Sequence, residues 1–137
     1  MLILFCNRIL KIQYLLRWGR GRKDKKQITH AINNYGADYG IIISDTITNI
    51  GDLAFMHCES LTSIVIPEGV TCLKSYLFAY CNELTDITLP KSINTIKTNI
   101  FNYCSKLKNI KFNGTREEFG KIIVSEKWRG EKTTFKT

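Results

Sequence analysis

The sequence lacks the residue patterns on which most enzymes and metalloproteins depend. It has no phosphate-binding glycine loop, no G-x-S-x-G motif and no paired-carboxylate constellation. Its two histidines, His30 and His57, are far apart in the chain, and no C-x-x-C or H-x-x-x-H pattern occurs. A zinc site needs about four ligands at suitable spacing. We therefore expect no catalysis, no metal and no cofactor.

Long hydrophobic runs are also missing. No stretch of about 18 uncharged apolar residues occurs, so an ordinary transmembrane helix is not expected. The N-terminus does not resemble a clear secretory signal, because Arg8 and Lys11 interrupt its apolar start and no small-x-small cleavage site follows. That pattern favours the cytoplasm. The five cysteines are an odd number and do not by themselves decide the compartment.

An excess of positive charge is missing outside one end of the chain. Residues 1–26 hold eight Lys/Arg and one acid, Asp24, a net charge of +7. Residues 27–137 hold twelve Lys/Arg and eleven acids, a net charge of +1. A surface that follows nucleic-acid phosphates needs an extended excess of positive charge. The body of the chain is therefore not expected to bind nucleic acid.

The N-terminal extension, residues 1–26, is apolar up to Trp18 and then basic. Such a segment can lie on an anionic membrane surface, bind nucleic acid nonspecifically, or be an extension without a role. Anchoring by this segment would make the chain a membrane-peripheral protein, which is one alternative function. The residues expected to contact a membrane or another anionic surface are Arg17, Arg20, Arg22, Lys23, Lys25 and Lys26.

What the sequence does contain is a repeat of 23 residues. A fixed period of this size is typical of a solenoid, in which each repeat forms one coil stacked on the next. The cysteines of this ladder occupy packing positions, so we expect a buried row of reduced thiols. The period is kept by Phe55, Phe78 and Phe101, by Cys58, Cys81 and Cys104, and by Leu61, Leu84 and Leu107.

Each repeat combines two local patterns. Alternating apolar residues, as in Ile64 and Ile66, predict a short strand with one buried face. Apolar residues at i, i+1 and i+4, as in Ala54, Phe55 and Cys58, predict short helical turns that face inward. The predicted fold is an α/β repeat solenoid, a short horseshoe segment with parallel strands on one wall and short helical turns on the other.

The repeats divide the chain into four parts. After the extension of residues 1–26, residues 27–40 are predicted to form a degenerate half-coil that acts as an N-terminal cap. Residues 41–109 form three repeats, and residues 110–137 form a last strand and a C-terminal cap. Thr115 and Glu118 fit a helix capping box, and Phe119, Ile122 and Ile123 fit an apolar helical stripe, so a C-terminal capping helix is expected.

The repeat also contains the string Ile47-x-x-Ile50-Gly51-Asp52-x-Ala54-Phe55-x-x-Cys58-x-x-Leu61-x-x-Ile64-x-Ile66-Pro67. This string resembles the repeats of a known family, the BspA-like class of leucine-rich repeats. Spacing and residue types match through three copies, over roughly residues 41–128. The resemblance implies a noncatalytic protein-protein interaction module, with a secreted or cell-surface, adhesion-type role. A further alternative is a fragment of a longer repeat array.

The solvent face of the predicted sheet is the expected contact surface for a protein partner. Side chains between the buried strand residues point outward and form two rows. The first row changes from apolar to basic along the repeats, and its apolar end is a small patch of the kind found at contact sites. The candidate partner-binding residues are Ile42, Val65, Thr88 and Lys111 in the first row and Ser63, Asp86 and Asn109 in the second.

Overall fold

A computed structural model of the protein describes residues 41–43, 45, 47–128 and 134–137. The predictions made for residues 1–26 and 27–40 lie outside the described residues. The elements are β1 (Ile41–Ile42), β2 (Ser63–Val65), β3 (Cys72–Leu73), β4 (Asp86–Leu89), β5 (Thr95–Ile96), β6 (Asn109–Phe112), α1 (Arg116–Gly120), β7 (Ile123–Val124) and β8 (Thr134–Lys136).

The first sheet confirms the predicted wall of parallel strands. It has five strands in the order β1-β2-β4-β6-β8, and every pair is parallel. Ile64 pairs with Ile87, and Ile87 pairs with Ile110, so neighbouring strands advance by the repeat length. Parallel strands need a crossover between them, and each coil of the chain supplies one. The chain therefore forms a repeat solenoid of about three turns.

A second parallel sheet, β3-β5-β7, was not predicted. Cys72 pairs with Thr95 and Leu73 pairs with Ile96, in a segment between the predicted strand and the predicted helical turns of each repeat. Leu73 and Ile96 are buried, as expected for inward-facing residues. Strands of two residues are too short to show the alternation that identifies a strand in a sequence.

The predicted helical turns are wrong, because residues 52–57, 75–80 and 98–103 form consecutive turns instead. Leu53 and His57 have left-handed backbones, with φ of 59° and 62°, which a right-handed helix cannot include. The Phe55 N–H donates to the Leu77 carbonyl at 3.1 Å and the His57 N–H to the Ala79 carbonyl at 2.9 Å. These backbone groups join neighbouring coils, so they are not available for helical hydrogen bonds.

The ladder residues form the core of the solenoid. The rings of Phe55 and Phe78 stack with centroids 5.2 Å apart, and those of Phe78 and Phe101 with centroids 5.8 Å apart. The ladder leucines are buried as well, and no polar or charged side chain is buried among the described residues. Cys104 corrects the prediction of a wholly buried cysteine row, because it is only half-buried at the edge of this core.

The C-terminal segment begins with the predicted capping box. The Glu118 N–H donates to the Thr115 hydroxyl, and the Thr115 N–H donates to the Glu118 carboxylate. The helix then ends at Gly120. The predicted apolar stripe is therefore wrong at Ile123, which lies in β7 and is 71% exposed. Helix α1 directs Phe119 against the core.

Three aromatic side chains surround the ring of Phe119, the first residue of the predicted stripe. The distances between ring centroids are 5.4 Å to Phe112, 5.8 Å to Trp128 and 4.2 Å to Phe135. Of these rings, Phe112 is fully buried, and Trp128 and Phe135 pack against the core as partly buried side chains. Packing of aromatic rings thus joins α1 and β8 to the last full coil.

Candidate functional site

Strand register brings the candidate residues of the first sheet together in two rows. Cross-strand pairing defines the Val65 row as Ile42, Val65, Thr88, Lys111 and Lys136, and the Asp86 row as Ser63, Asp86, Asn109 and Thr134. All seven candidates from the sequence belong to these rows, although the side chain of Ile42 lies outside the described part. Thr134 and Lys136 were missed, because β8 follows β6 by 25 residues (Asn109 to Thr134) rather than by the repeat length.

The Val65 row changes in chemistry along the sheet. Val65 is 49% exposed, although Ile64 and Ile66 on either side of it are buried. Thr88 is half-buried, and Lys111 and Lys136 are exposed. Successive side chains of a strand point to opposite faces, so the buried neighbours belong to the core and the row belongs to the solvent face. The row offers an apolar contact at one end and two ammonium groups at the other.

Asp86 is the acidic residue of the two rows. Asn109 donates from Nδ2 to Asp86 Oδ1 at 2.7 Å. Hydrogen bonds from the side chains of Thr85 and Asn109, together with the charges of Lys108 and Lys136, lower the pKa of the Asp86 carboxyl below its ordinary value. Asp86 therefore remains ionised at neutral pH, and it lies near two of the lysines at this end of the sheet.

A stack of aromatic rings on the turns of residues 52–57, 75–80 and 98–103 was missed by the sequence analysis; its outer members His57 and Tyr103 are exposed and Tyr80 is half-buried. The rings of His57, Tyr80 and Tyr103 lie in line, with centroids 4.6 Å apart at both steps. All three residues have left-handed backbones. A left-handed backbone at a residue other than glycine destabilises the fold by roughly 1–2 kcal/mol, and each stacked aromatic pair stabilises it by roughly 0.5–1.5 kcal/mol. The signal for this stack was present in the sequence, because the three residues keep the 23-residue spacing.

The cysteine ladder is bonded to the backbone of the preceding coil. The Cys81 thiol donates to the Phe55 carbonyl, and the Cys104 thiol donates to the Phe78 carbonyl, both at 3.0 Å. The Cys104 side chain, burial and the neighbouring Cys58 raise the pKa of the Cys81 thiol far above its ordinary value. Because the thiolate is the nucleophile and the metal ligand, Cys81 is a packing residue with no reactive sulfur.

Cys81 is expected to resist alkylation in the folded protein. Cys72 is half-buried on the second sheet and serves as an internal reference. Iodoacetamide should modify Cys72 about tenfold or more faster than Cys81 in native buffer, and at similar rates in concentrated urea. Peptide mass spectrometry measures both rates. Equal rates in the folded protein would contradict the buried, protonated state of Cys81.

Two kinds of feature are absent from the described part of the chain. Within it, no helix has the length and apolar character to cross a membrane. The same residues contain no group of three or more His, Cys, Asp or Glu that could hold a metal ion.

The fold defines a class, the solenoid with short parallel strands built from leucine-rich repeats. Residues 34–135 match the family model for the BspA type leucine rich repeat region, in six copies. The chain belongs to this family, as the resemblance in the sequence indicated.

Comparison with solved structures gives a similar protein. It is a leucine rich cell surface protein from Faecalibacterium prausnitzii, with a crystal structure at 1.80 Å resolution. Its identity to this chain is 37% and the TM-score is 0.57. The match covers 59% of this chain and 21% of the other, so the matched part spans about a fifth of the length of that protein. Comparison with curated proteins finds no match.

Proposed function

We propose that this chain is a noncatalytic protein-interaction module with an adhesion-type role at the cell surface, and that it binds its partner through the Val65 and Asp86 rows. The observation that carries the proposal is a continuous solvent face on the first sheet, with the 49% exposed Val65 at its apolar end. Membership of a leucine-rich-repeat family and similarity to a protein described as a cell surface protein support the location.

The shape of this face favours a polypeptide over a small molecule. Parallel strands lie roughly 4.8 Å apart, so the stacked coils hold the side chains of each row on a regular grid. Small-molecule sites are usually concave and enclose most of their ligand, whereas a grid on a solenoid wall offers an extended contact. Val65 and Thr88, adjacent in register, give the apolar end of this surface a β-branched contact area.

Selection of displayed peptides on the immobilised full-length chain tests the proposal. Peptides enriched on the wild type should bind the Val65→Glu variant about tenfold or more weakly, because the charge replaces the apolar contact. Ile123→Glu is the matched control, since it places the same charge at an exposed, β-branched strand residue of the second sheet. Peptides should bind this control as they bind the wild type.

Circular dichroism establishes that both variants are folded before binding is compared. The proposed surface is wrong if the selected peptides bind Val65→Glu as tightly as the wild type. It is also wrong if Ile123→Glu weakens binding as much as Val65→Glu, because the peptides would then recognise a different wall or bind without specificity.

A further inference from the structure

We propose that the partner segment that binds the first sheet is acidic at one end and apolar at the other, and that its carboxylates bind Lys111 and Lys136. This inference rests on the proposed function, because it names the chemistry of the partner at the same surface. The occupant is a short extended stretch of a protein that crosses the strands along the solenoid axis, with its apolar end over Val65 and its acidic end over the two lysines.

The first argument is an uncompensated pair of like charges. Lys111 on β6 and Lys136 on β8 are register partners on neighbouring strands, and both are exposed. Like charges at facing positions of a sheet are destabilising. An anion bound between the two ammonium groups removes this repulsion, so the free surface favours a carboxylate ligand.

The second argument comes from the ion pairs that lysines form in the described part of the chain. Lys91, Lys106 and Lys121 form ion pairs with Glu118, Glu83 and Glu117 at 2.8, 2.8 and 3.3 Å. Among the described residues, no ion pair holds Lys108, Lys111 or Lys136. Lys111 and Lys136 therefore carry charges that no ion pair within the described residues neutralises, unlike Lys91, Lys106 and Lys121.

The acid nearest to this group does not neutralise it. Asp86 accepts a hydrogen bond from Asn109, and it lies within the electrostatic range of Lys108 and Lys136. Among the described residues of the two rows, Asp86 is the one carboxylate, and it lies beside Lys108, Lys111 and Lys136. Within the described residues, the C-terminal end of the first sheet therefore keeps a net positive charge.

The distribution of charge argues for a short acidic peptide and against a long polyanion. Residues 27–137 carry a net charge of only +1, with eleven acids, so a nucleic acid extending beyond the patch would meet negative side chains. The Val65 end of the same row adds an apolar contact that phosphate backbones do not need. An anionic surface of lipid is likewise too broad for a patch confined to one end of one sheet.

The spacing of the strands sets the length of the segment. Val65 and Lys136 are three strand steps apart in the Val65 row. At roughly 4.8 Å per step this is about 14 Å, which an extended chain covers with about four residues at roughly 3.3 Å each. The ligand is therefore a segment with an apolar side chain and, about four residues away, one or two acidic side chains.

Fluorescence anisotropy with two synthetic peptides tests the inference on the full-length chain. The probe is a fluorescein-labelled peptide of two leucines, two glycines and three glutamates, and its counterpart has lysines in place of the glutamates. The acidic peptide should bind more tightly, and its affinity should fall when salt is raised. Lys111→Glu should weaken binding of the acidic peptide roughly tenfold or more, because it places like charges together.

Lys97→Glu is the matched control. Lys97 is an exposed lysine directly after β5 in the second sheet, so its reversal changes the net charge by the same amount, and binding should stay within about twofold of wild type. The basic extension of residues 1–26 is unchanged in every variant. Equal losses in Lys97→Glu and Lys111→Glu, or no loss in either, overturn the inference, since binding then depends on net charge or on another region.

Phosphatidylserine vesicles and single-stranded DNA provide two further arms. If Lys111→Glu reduces binding of either one while binding of the acidic peptide is unaffected, the ligand is a polyanion and the inference is wrong. If Lys111→Glu has no effect on the acidic peptide but Val65→Glu still abolishes binding of the selected peptides, the proposed function stands and only the acidic partner is wrong. If Val65→Glu also has no effect, both proposals fail.

Discussion

Replacing Phe78 by alanine is expected to lower the free energy of unfolding by about 3–5 kcal/mol. Phe78 is fully buried in the middle coil, and its ring stacks on Phe55 at 5.2 Å and on Phe101 at 5.8 Å. Truncation removes both contacts and leaves a cavity at the centre of the ladder. Because domains of this size are stable by only about 5–15 kcal/mol, a large fraction of the total is lost.

Urea denaturation followed by circular dichroism measures this effect. Tyr103→Ala is the control, since it removes a 62% exposed ring that stacks on one neighbour, Tyr80, and it should cost about 1 kcal/mol. The middle coil also couples the two ends of a solenoid, so Phe78→Ala should broaden the unfolding transition. A loss for Phe78→Ala no larger than that for Tyr103→Ala would contradict the central role of the phenylalanine ladder.

Replacing Gly114 by alanine is expected to destabilise the protein by roughly 1–3 kcal/mol. A Cβ atom at Gly114 would lie 2.5 and 2.8 Å from carbons of the Phe112 ring and 2.7 Å from the Glu118 carboxylate. Phe112 is fully buried and contacts Phe119, so its ring has little room to move. The Glu118 carboxylate belongs to the capping box, which the added methyl group would push apart.

Gly120→Ala is the matched control for this substitution. A Cβ atom there meets nothing within 4 Å, and Gly120 ends α1, where alanine is the better helix former. Thermal and urea unfolding should therefore show no loss for Gly120→Ala, or a gain of up to about 1 kcal/mol. If both variants were equally stable, close packing between the Gly114 turn and Phe112 would not be a constraint on the fold.

The sequence predicted those features that depend only on the repeat period. Phe78 and Leu84 are buried and Val65 is exposed. When the coils stack in register, each position of the repeat faces either the core or the solvent, so its burial follows from the period. The choice between helix and turns could not be made in this way. Apolar residues at i, i+1 and i+4 suit both, and hydrogen bonds from Phe55 and His57 to the next coil decide it.

Two further features depended on information that the period does not contain. Leu53 and Tyr76 adopt left-handed backbones without being glycine, so no residue type in the sequence marks them. The step from β6 to β8 is longer than the repeat, so extending the Val65 row by the repeat length does not reach Lys136. The seven candidates of the sheet face share one surface, and its basic end was predicted at Lys111, but the second lysine of that end, Lys136, emerged only with strand register.

The contacts between neighbouring coils have a consequence for the gene. The ion pair of Glu83 with Lys106 and the hydrogen bonds of Tyr76 with Asn99 and of Asp86 with Asn109 each join residues 23 apart. Unequal recombination that adds or removes 23 codons, or a multiple of 23, keeps the coils that meet at the crossover in register, whereas any other number of codons shifts the pairs that span the junction out of register. Arrays built from such coils can therefore change in length during evolution without new contacts having to arise at the junction.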